Sequence, residues 1–309
     1  MSHKPSASTG RVLMIWAVIL GLSTLACSSL VNQTIDKTVE TTANTVGEKV
    51  GKKVGDAVAG AILTKLDPAL MHLYTSSMFR VLFYHGGYYI EDLDRYEQGQ
   101  FTRWKGENIE QGDSFERVLL RRRDDGTEWW RVESNGTGDD GKKVTLVMEA
   151  LLSPIDNSGT RQVRRMRAKF PDEAEPREIP ITEENANNWV MAGNRRLTPE
   201  SLEGMTVDKG ASVTVPAGTY TARHVQSKGY DGNSTLDWFL VENVPGGMVK
   251  YTNTIKDSDG KEERVWTMVL LEAGEGQTES KLGVDLDAPT PTAPDATEAE
   301  AETTPAEAQ

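Results

Sequence analysis

The one cysteine of this 309-residue chain is the residue whose chemistry its neighbours define most clearly. Cys27 directly follows the small residue Ala26 and an apolar run over 12–20, which itself comes after the basic residues Lys4 and Arg11. A basic start, a short apolar core and small residues before a cleavage point are typical of a secretory signal. The apolar core is about half as long as a membrane-spanning helix requires. We therefore expect export of the chain and cleavage before Cys27.

The segment 22–27 resembles the lipobox of bacterial lipoproteins, in which the cysteine carries acyl chains such as palmitate and anchors the mature protein. The family prefers leucine three places before the cysteine, whereas this chain has Thr24 there and leucines at Leu22 and Leu25. A lone thiol cannot form an internal disulfide, and acylation would protect it in an oxidising compartment. The resemblance implies lipidation of Cys27 and a lipid-anchored location in the cell envelope, at the outer membrane facing the periplasm or the cell surface. The alternative is an ordinary cleaved signal or an uncleaved anchor.

The remaining residue patterns predict no catalytic residue, no metal site and no cofactor. The histidines beyond the signal, His72, His85 and His224, lie far apart and lack metal-ligand spacing. His72 and His85 are expected on one helix, too far apart to share an ion. His85-Gly86-Gly87 is similar to the oxyanion loop of some esterases, but the Gly-x-Ser-x-Gly turn that this interpretation needs does not occur in the sequence. Carboxylates are numerous enough for a glycosidase-like pair, but the sequence singles out none.

Two groups of arginines, within 121–123 and 161–167, are the strongest cationic clusters. If their strands were neighbours, the two groups could present cations to an anionic headgroup or a polysaccharide. The preferred interpretation is that these arginines lie on solvated strand faces and pair with nearby Asp and Glu. The tryptophans are expected mainly in the core, although a concave sheet could expose some of them to an acyl chain: Trp104, Trp129, Trp130, Trp189, Trp238 and Trp266.

The stretch 27–67 predicts an anchor followed by a helix of glycine-zipper type. Gly47, Gly51 and Gly55 recur at every fourth position beside a parallel row of valines. Such a groove lets another helix approach closely, so these glycines are predicted helix-packing residues. Charges within 48–53 argue against a bilayer core. A helix that lies on the membrane or packs on a partner is therefore preferred, ahead of a solvated spacer and of membrane insertion.

From residue 100 onward, short β-branched and aromatic runs alternate with Gly, Asp and Asn turns. A helix over 69–84, with Asp67 as N-cap and Pro68 in the first turn, precedes them. The Asp124-Asp125-Gly126 sequence predicts a hairpin turn. The fold class is mainly β (α+β), with a curved antiparallel sheet or half-closed barrel and a packed helix. Strands are predicted at 100–105, 115–122, 128–133, 144–152, 162–170, 212–215, 220–227, 235–241, 248–254 and 264–271.

Several motifs in this β-rich part resemble a pattern in uncharacterised bacterial exported proteins. The motifs are 96–101, Trp129-Trp130, 215–220, Trp238 and 244–250. Those proteins are similar in turn to periplasmic lipoprotein-carrier half-barrels, which hold acyl chains in a concave sheet. The resemblance spans 96–271 and implies an open half-barrel with a lipid-like ligand.

Charge is distributed unevenly along the chain, whose formal net charge is −13. Most of the acidic excess follows Glu272, where Lys281 is the only basic residue. A chain without a dominant basic face is not expected to bind nucleic acid. The segment 274–309, rich in Ala, Glu, Thr and Pro, is predicted to be a disordered acidic tail.

The sequence therefore predicts four parts: a signal peptide over 1–26, the anchor and glycine-repeat helix over 27–67, a helix plus antiparallel β domain over 68–273, and the tail over 274–309. The expected function is that of a cell-envelope lipoprotein, a non-enzymatic binding or structural module that holds a lipid-like ligand or an envelope protein partner. The alternative is an envelope hydrolase acting on glycan or lipid through carboxylates that the sequence does not identify.

Overall fold

The computed structural model describes residues 68–87, 90–107, 114–137, 142–157, 159–192, 197–228, 233–256 and 261–289. The predicted lipidation residue Cys27 and the predicted helix-packing residues Gly47, Gly51 and Gly55 lie outside this part of the chain. Within it, no helix has both the length and the apolar character that crossing a membrane would require.

The longest helix, α1 (Pro68–Phe83), confirms the helix predicted over 69–84. It packs on the sheet and on a 3₁₀ helix, Glu183–Trp189. Its buried apolar side chains recur at helical spacing and form one side of the core: Met71, Met78, Phe79, Leu82 and Phe83. Because α1 ends at Phe83, His85 lies in the turn beyond the helix, and the prediction that it shares a helix with His72 was wrong.

A second, short helix α2 (Pro199–Met205) leads into the last part of the sheet. Thr198 caps it, because the threonine hydroxyl accepts a hydrogen bond from Ser201 N at 3.2 Å. A further 3₁₀ helix, Leu93–Arg95, follows α1.

The twelve strands within the described residues belong to one sheet, and every paired ladder is antiparallel. The order across the sheet is β6-β5-β4-β3-β2-β1-β12-β11-β10-β9-β8, with β7 paired to β5. The strands are β1 (Phe101–Gly106), β2 (Ser114–Arg122), β3 (Glu128–Thr137), β4 (Lys143–Leu152), β5 (Thr160–Lys169), β6 (Arg177–Glu178), β7 (Val190–Ala192), β8 (Thr206–Val215), β9 (Gly218–Lys228), β10 (Ser234–Leu240), β11 (Met248–Lys256) and β12 (Glu262–Gly274).

The sheet is curved but does not close into a barrel. Register shifts interrupt several ladders, for example between Arg103 and Trp104 in β1. Such irregularities bend a strand and increase its twist. At the far end, the β8–β9 turn reaches β12 through one hydrogen bond, from Ala217 N to Leu270 O at 3.2 Å. The predicted curved antiparallel sheet with a packed helix is therefore confirmed.

Each of the ten predicted strands corresponds to a strand of this sheet. The Asp124-Asp125-Gly126 turn also connects β2 to β3 as predicted, with Gly126 at φ +77°. The largest boundary error is at β8, which begins at Thr206 instead of 212. The early part of β8 is mostly exposed and irregularly paired, so it lacks the alternation by which a half-buried strand is recognised.

The inner face of the sheet forms one continuous core with α1. Side chains from both halves of the sheet enter it, including Leu119, Trp130, Met148 and Leu270, each 0% exposed. Five of the six tryptophans expected in the core are buried, and Trp266 packs against the same cluster. The main core is therefore built around the inner face and the helix that covers it.

The outer face of β1–β4 has a second, smaller core, because residues 275–289 lie across it. We call this segment the C-terminal strap. Leu282, Val284 and Leu286 of the strap are buried against outer-face side chains that include Trp129. Residues 275–289, which the sequence assigned to the acidic tail, therefore pack on the sheet. Three apolar residues at every second position can bury one face of an extended segment when a sheet supplies the other half of the core.

Candidate functional site

The most unusual chemistry in the described residues is a buried charged cluster beneath the C-terminal end of α1. Arg117 of β2 and Glu91 of the turn after α1 are 1% and 0% exposed, and their Nη1 and Oε2 atoms are 2.5 Å apart. Glu91 Oε1 also accepts a hydrogen bond from Gly86 N at 2.8 Å. Burial of two charges is tolerated only when they are paired and their remaining hydrogen bonds are satisfied.

Arg117 satisfies this condition because its donors have partners on several elements. Its Nη1 donates to the carbonyl oxygen of Phe83, the last residue of α1. Its Nε and Nη2 donate to Tyr96 Oη at 3.2 and 3.0 Å. Tyr96 Oη is in turn 2.5 Å from Thr102 Oγ1 of β1. The guanidinium therefore joins α1, the turn, β1 and β2, and its charge lies favourably at a helix C-terminus.

The turn between α1 and Glu91 can hold this arrangement only because Gly86 has no side chain. A Cβ at this position would overlap the side chains of Met248 and Glu91. The carbonyl oxygen of Gly86 accepts a hydrogen bond from Trp238 Nε1 at 2.7 Å. The Gly86-Gly87 pair therefore serves close packing, and the esterase-type interpretation gains no support from its surroundings.

Protonation in the cluster is controlled mainly by burial. Burial raises the pKa of Glu91, and the neighbouring Arg117 opposes this shift. Burial alone would lower the pKa of Arg117, but Glu91 and Tyr96 outweigh it and raise that pKa. Burial also lowers the pKa of His85 well below its usual value, and Arg117 lowers it further. His85 is therefore neutral in the folded protein at neutral pH.

His85 packs in an aromatic box beside this cluster. Its ring centroid lies 4.8 Å from Trp104, 4.4 Å from Phe115 and 5.7 Å from Tyr251. Its Nε2 is 3.3 Å from Glu91 Oε1, but the two groups are not aligned for a hydrogen bond. The box lies in the interior, so its imidazole does not face solvent.

A second polar cluster lies on the outer face and holds the strap. Glu149 of β4, 0% exposed, accepts hydrogen bonds from Ser280 Oγ at 2.5 Å and from Lys281 N at 2.8 Å. Arg131 Nη1 donates to the Glu279 carbonyl oxygen at 3.2 Å. Burial raises the pKa of Glu149, while the bonds from Ser280 and Lys281 oppose the shift. Side chains of the sheet thus bind the backbone of the strap without forming a strand ladder.

The strands of the two arginine groups are not neighbours, because β3 and β4 separate β2 from β5, although Arg122 and Arg161 both bind the carboxylate of Glu128. Five of the seven arginines pair with acids or carbonyl oxygens, in line with the preferred interpretation. An open depression of about 340 Å³ at the β2–β3 turn is lined equally by arginines and aspartates, so it offers no excess of cations. The pairs are Arg121–Asp287, Arg122–Glu128, Arg161–Glu128 and Arg165–Glu178, and Arg123 donates to the Ala288 carbonyl oxygen.

His224 lies on β9, as predicted, and forms a partly exposed pair with Asp237 of β10. Its Nε2 is 2.7 Å from Asp237 Oδ1, which also accepts a hydrogen bond from Gln226 Nε2 at 2.8 Å. The imidazole stacks on Phe239 with ring centroids 4.7 Å apart. Throughout the described part of the chain, no three His, Cys, Asp or Glu side chains are grouped as metal ligands would be.

The comparison with known proteins gives no family. No protein-family model matches the chain, and no curated protein matches it either.

Sequence reasoning did not single out Glu91, Arg117 or Glu149, which form the centres of the two clusters. A usable signal was present for the last two. Glu149 interrupts the otherwise apolar run Leu146–Leu152, and Arg117 stands beside Glu116 among the apolar residues of Phe115–Leu120. A charge within such a run must find a buried partner. Glu91 lies outside any strand or long helix, and only the folded chain brings it to Arg117.

Proposed function

We propose that this protein is a lipid-anchored component of the bacterial cell envelope whose β domain is a non-enzymatic structural or partner-binding module. The packed inner face is the observation that supports this role. A half-barrel that carries acyl chains needs an open apolar trough, whereas Leu119, Trp130 and Met148 on this face are 0% exposed. Docking to an envelope protein is therefore favoured over holding a lipid.

The positions of the buried carboxylates also support a non-enzymatic role. Among the carboxylates of the described residues, Glu91 and Glu149 are the two whose pKa is raised overall, in both cases by burial. A glycosidase-like pair would need two carboxyl groups facing each other across a cleft. Glu91 lies under α1 on the inner face, and Glu149 binds the strap on the outer face. The sheet separates them, so they cannot act on one bond.

The lipid anchor is tested by expressing the full-length chain in a bacterial host together with two variants. Ser28→Ala is the matched control, because it changes the residue that follows the cysteine and leaves the thiol. Wild type and Ser28→Ala should be recovered in the membrane fraction, with acyl mass on an N-terminal peptide that begins at Cys27. Cys27→Ser should lose both properties. Wild-type protein with an unmodified Cys27, or with its signal cleaved elsewhere, would contradict the proposal.

A further inference from the structure

We propose that the inner face contains a binding site for ordered water between His85, Trp104 and Tyr251. Each of these side chains comes from a different element: the turn after α1, β1 and β11. Their rings lie close together, with centroids 4.8 Å apart for His85 and Trp104 and 6.2 Å apart for Trp104 and Tyr251. The site is distinct from the lipid anchor and does not depend on it.

Unpartnered polar atoms are the observation that points to a ligand. Among the described residues, Tyr251 Oη, Trp104 Nε1 and both ring nitrogens of His85 have no hydrogen-bond partner. The exposed fraction is 1% for Trp104 and 3% for Tyr251, and it is 3% for the His85 side chain. Buried polar groups in folded proteins are almost always hydrogen-bonded to protein or to ordered water. One ligand that binds all three groups in the aromatic box would therefore satisfy their hydrogen bonds together.

The chemistry of the three side chains defines the ligand. The indole offers only a donor, while the phenol and the neutral imidazole can each donate and accept. A ligand that satisfies them must itself donate and accept. It must also be neutral, because the nearest charges, Glu91 and Arg117, already pair with each other. The side chains around it are almost fully buried, so only a very small molecule could reach them, and water is the occupant that fits.

The test compares two tyrosine-to-phenylalanine variants in the full-length protein, since each removes one hydroxyl and keeps the ring. Tyr96→Phe is the control, because its hydroxyl has protein partners in Thr102 and Arg117, and its Tm should fall. If water binds the Tyr251 hydroxyl, Tyr251→Phe should also lower Tm, by about 2–4 °C for one lost hydrogen bond. If that hydroxyl has no partner, its removal relieves a desolvation cost, and Tm will rise or stay unchanged, which would overturn the proposal.

A crystal structure gives an independent result. Electron density for a solvent atom within about 3.2 Å of Tyr251 Oη, and of either Trp104 Nε1 or a His85 nitrogen, would support the site. Its absence at a resolution that shows other buried waters would overturn the proposal. Native mass spectrometry of the same sample identifies the occupant, and a bound organic molecule that Tyr251→Phe removes would overturn the assignment to water.

Discussion

Individual buried charges organise the inner side of this protein. Arg117 of β2 has partners on α1, on the turn that follows α1 and at Tyr96 just before β1, so the positions of these segments depend on the same guanidinium. Removing one member of a buried pair leaves the other charge uncompensated and typically costs about 3–5 kcal/mol. Replacing both by well-packed apolar residues is often harmless. The pair therefore specifies how the elements fit together more than it adds net stability.

His85 should make the stability of the fold depend on pH. Burial lowers its pKa well below 6.5, so below that pH the unfolded chain binds a proton that the folded protein does not. The free energy of unfolding should then fall as the pH drops below 6.5, by up to about 1.4 kcal/mol per pH unit, and this loss should be absent above it. Urea unfolding at several pH values between 5.5 and 7.5 measures the dependence, and His85→Leu should reduce it.

His72→Asn is the matched control for this prediction. Partial burial also lowers the pKa of His72, but that side chain is only half-buried, so its contribution should be smaller. Equal pH dependence in the wild type and in His85→Leu would show that His85 is not held neutral in the folded state.

At the scale of elements, the C-terminal strap gives the sheet a second buried face. Its three buried apolar residues cover the outer face of β1–β4, and polar side chains of the sheet bind its backbone. Ser280 Oγ donates to Glu149 and also accepts hydrogen bonds from Leu282 N and Val284 N. Specific contacts at a buried carboxylate thus hold the strap in place, although it forms no strand ladder with the sheet.

Truncating one apolar residue of the strap should therefore destabilise the whole domain. Leu282 is 2% exposed, and Leu282→Ala should lower the free energy of unfolding by about 2–5 kcal/mol, as for other buried leucines. The control is Glu279→Ala, whose side chain is exposed, and which should change stability by no more than about 0.5 kcal/mol. Chemical denaturation of both variants measures the difference. Equal stabilities would mean that the strap contributes nothing to the fold.

At the scale of the whole molecule, the ladder between β1 and β12 joins two meanders into one sheet. β1–β6 run to one side of it and β12–β8 to the other. The same inner core continues across this junction. Chain segments more than 160 residues apart, such as Phe101 and Gly274, are therefore neighbours in the middle of the sheet. The packed inner face that results is what favours a structural or docking role.

This packing predicts the outcome of a lipid extraction. Cys27→Ser protein is the suitable sample. Without the anchor, it is purified without detergent and without the membrane lipid that would accompany the acyl chains. After denaturation in organic solvent, mass spectrometry of the extract should show no lipid at a stoichiometric amount, because the inner-face side chains that the structure describes are buried in one core. One lipid per protein molecule would instead indicate carriage, and the inner face would then have to open to admit it.

Local patterns were sufficient for much of the fold. Short apolar runs such as 144–152 and turn residues such as Gly126 predicted the strands and their connections, because these signals act over a few neighbouring residues. The strands β6 and β7 were missed, because a strand of two or three residues is too short to show an alternating pattern of apolar and polar residues. The strap was missed for another reason. Its acidic, glycine-containing composition is that of a tail, and its burial depends on a surface made elsewhere.

The sequence by itself determined the fold class, the helix before the sheet, most strand positions and the expectation of an anchor at Cys27, because each depends on short-range pattern. Only the tertiary structure decided that β1 pairs with β12, that Arg117 meets Glu91, and that His85 is held neutral among aromatic rings. These are contacts between distant parts of the chain. Their energies come from burial and desolvation, which do not exist until the chain has folded.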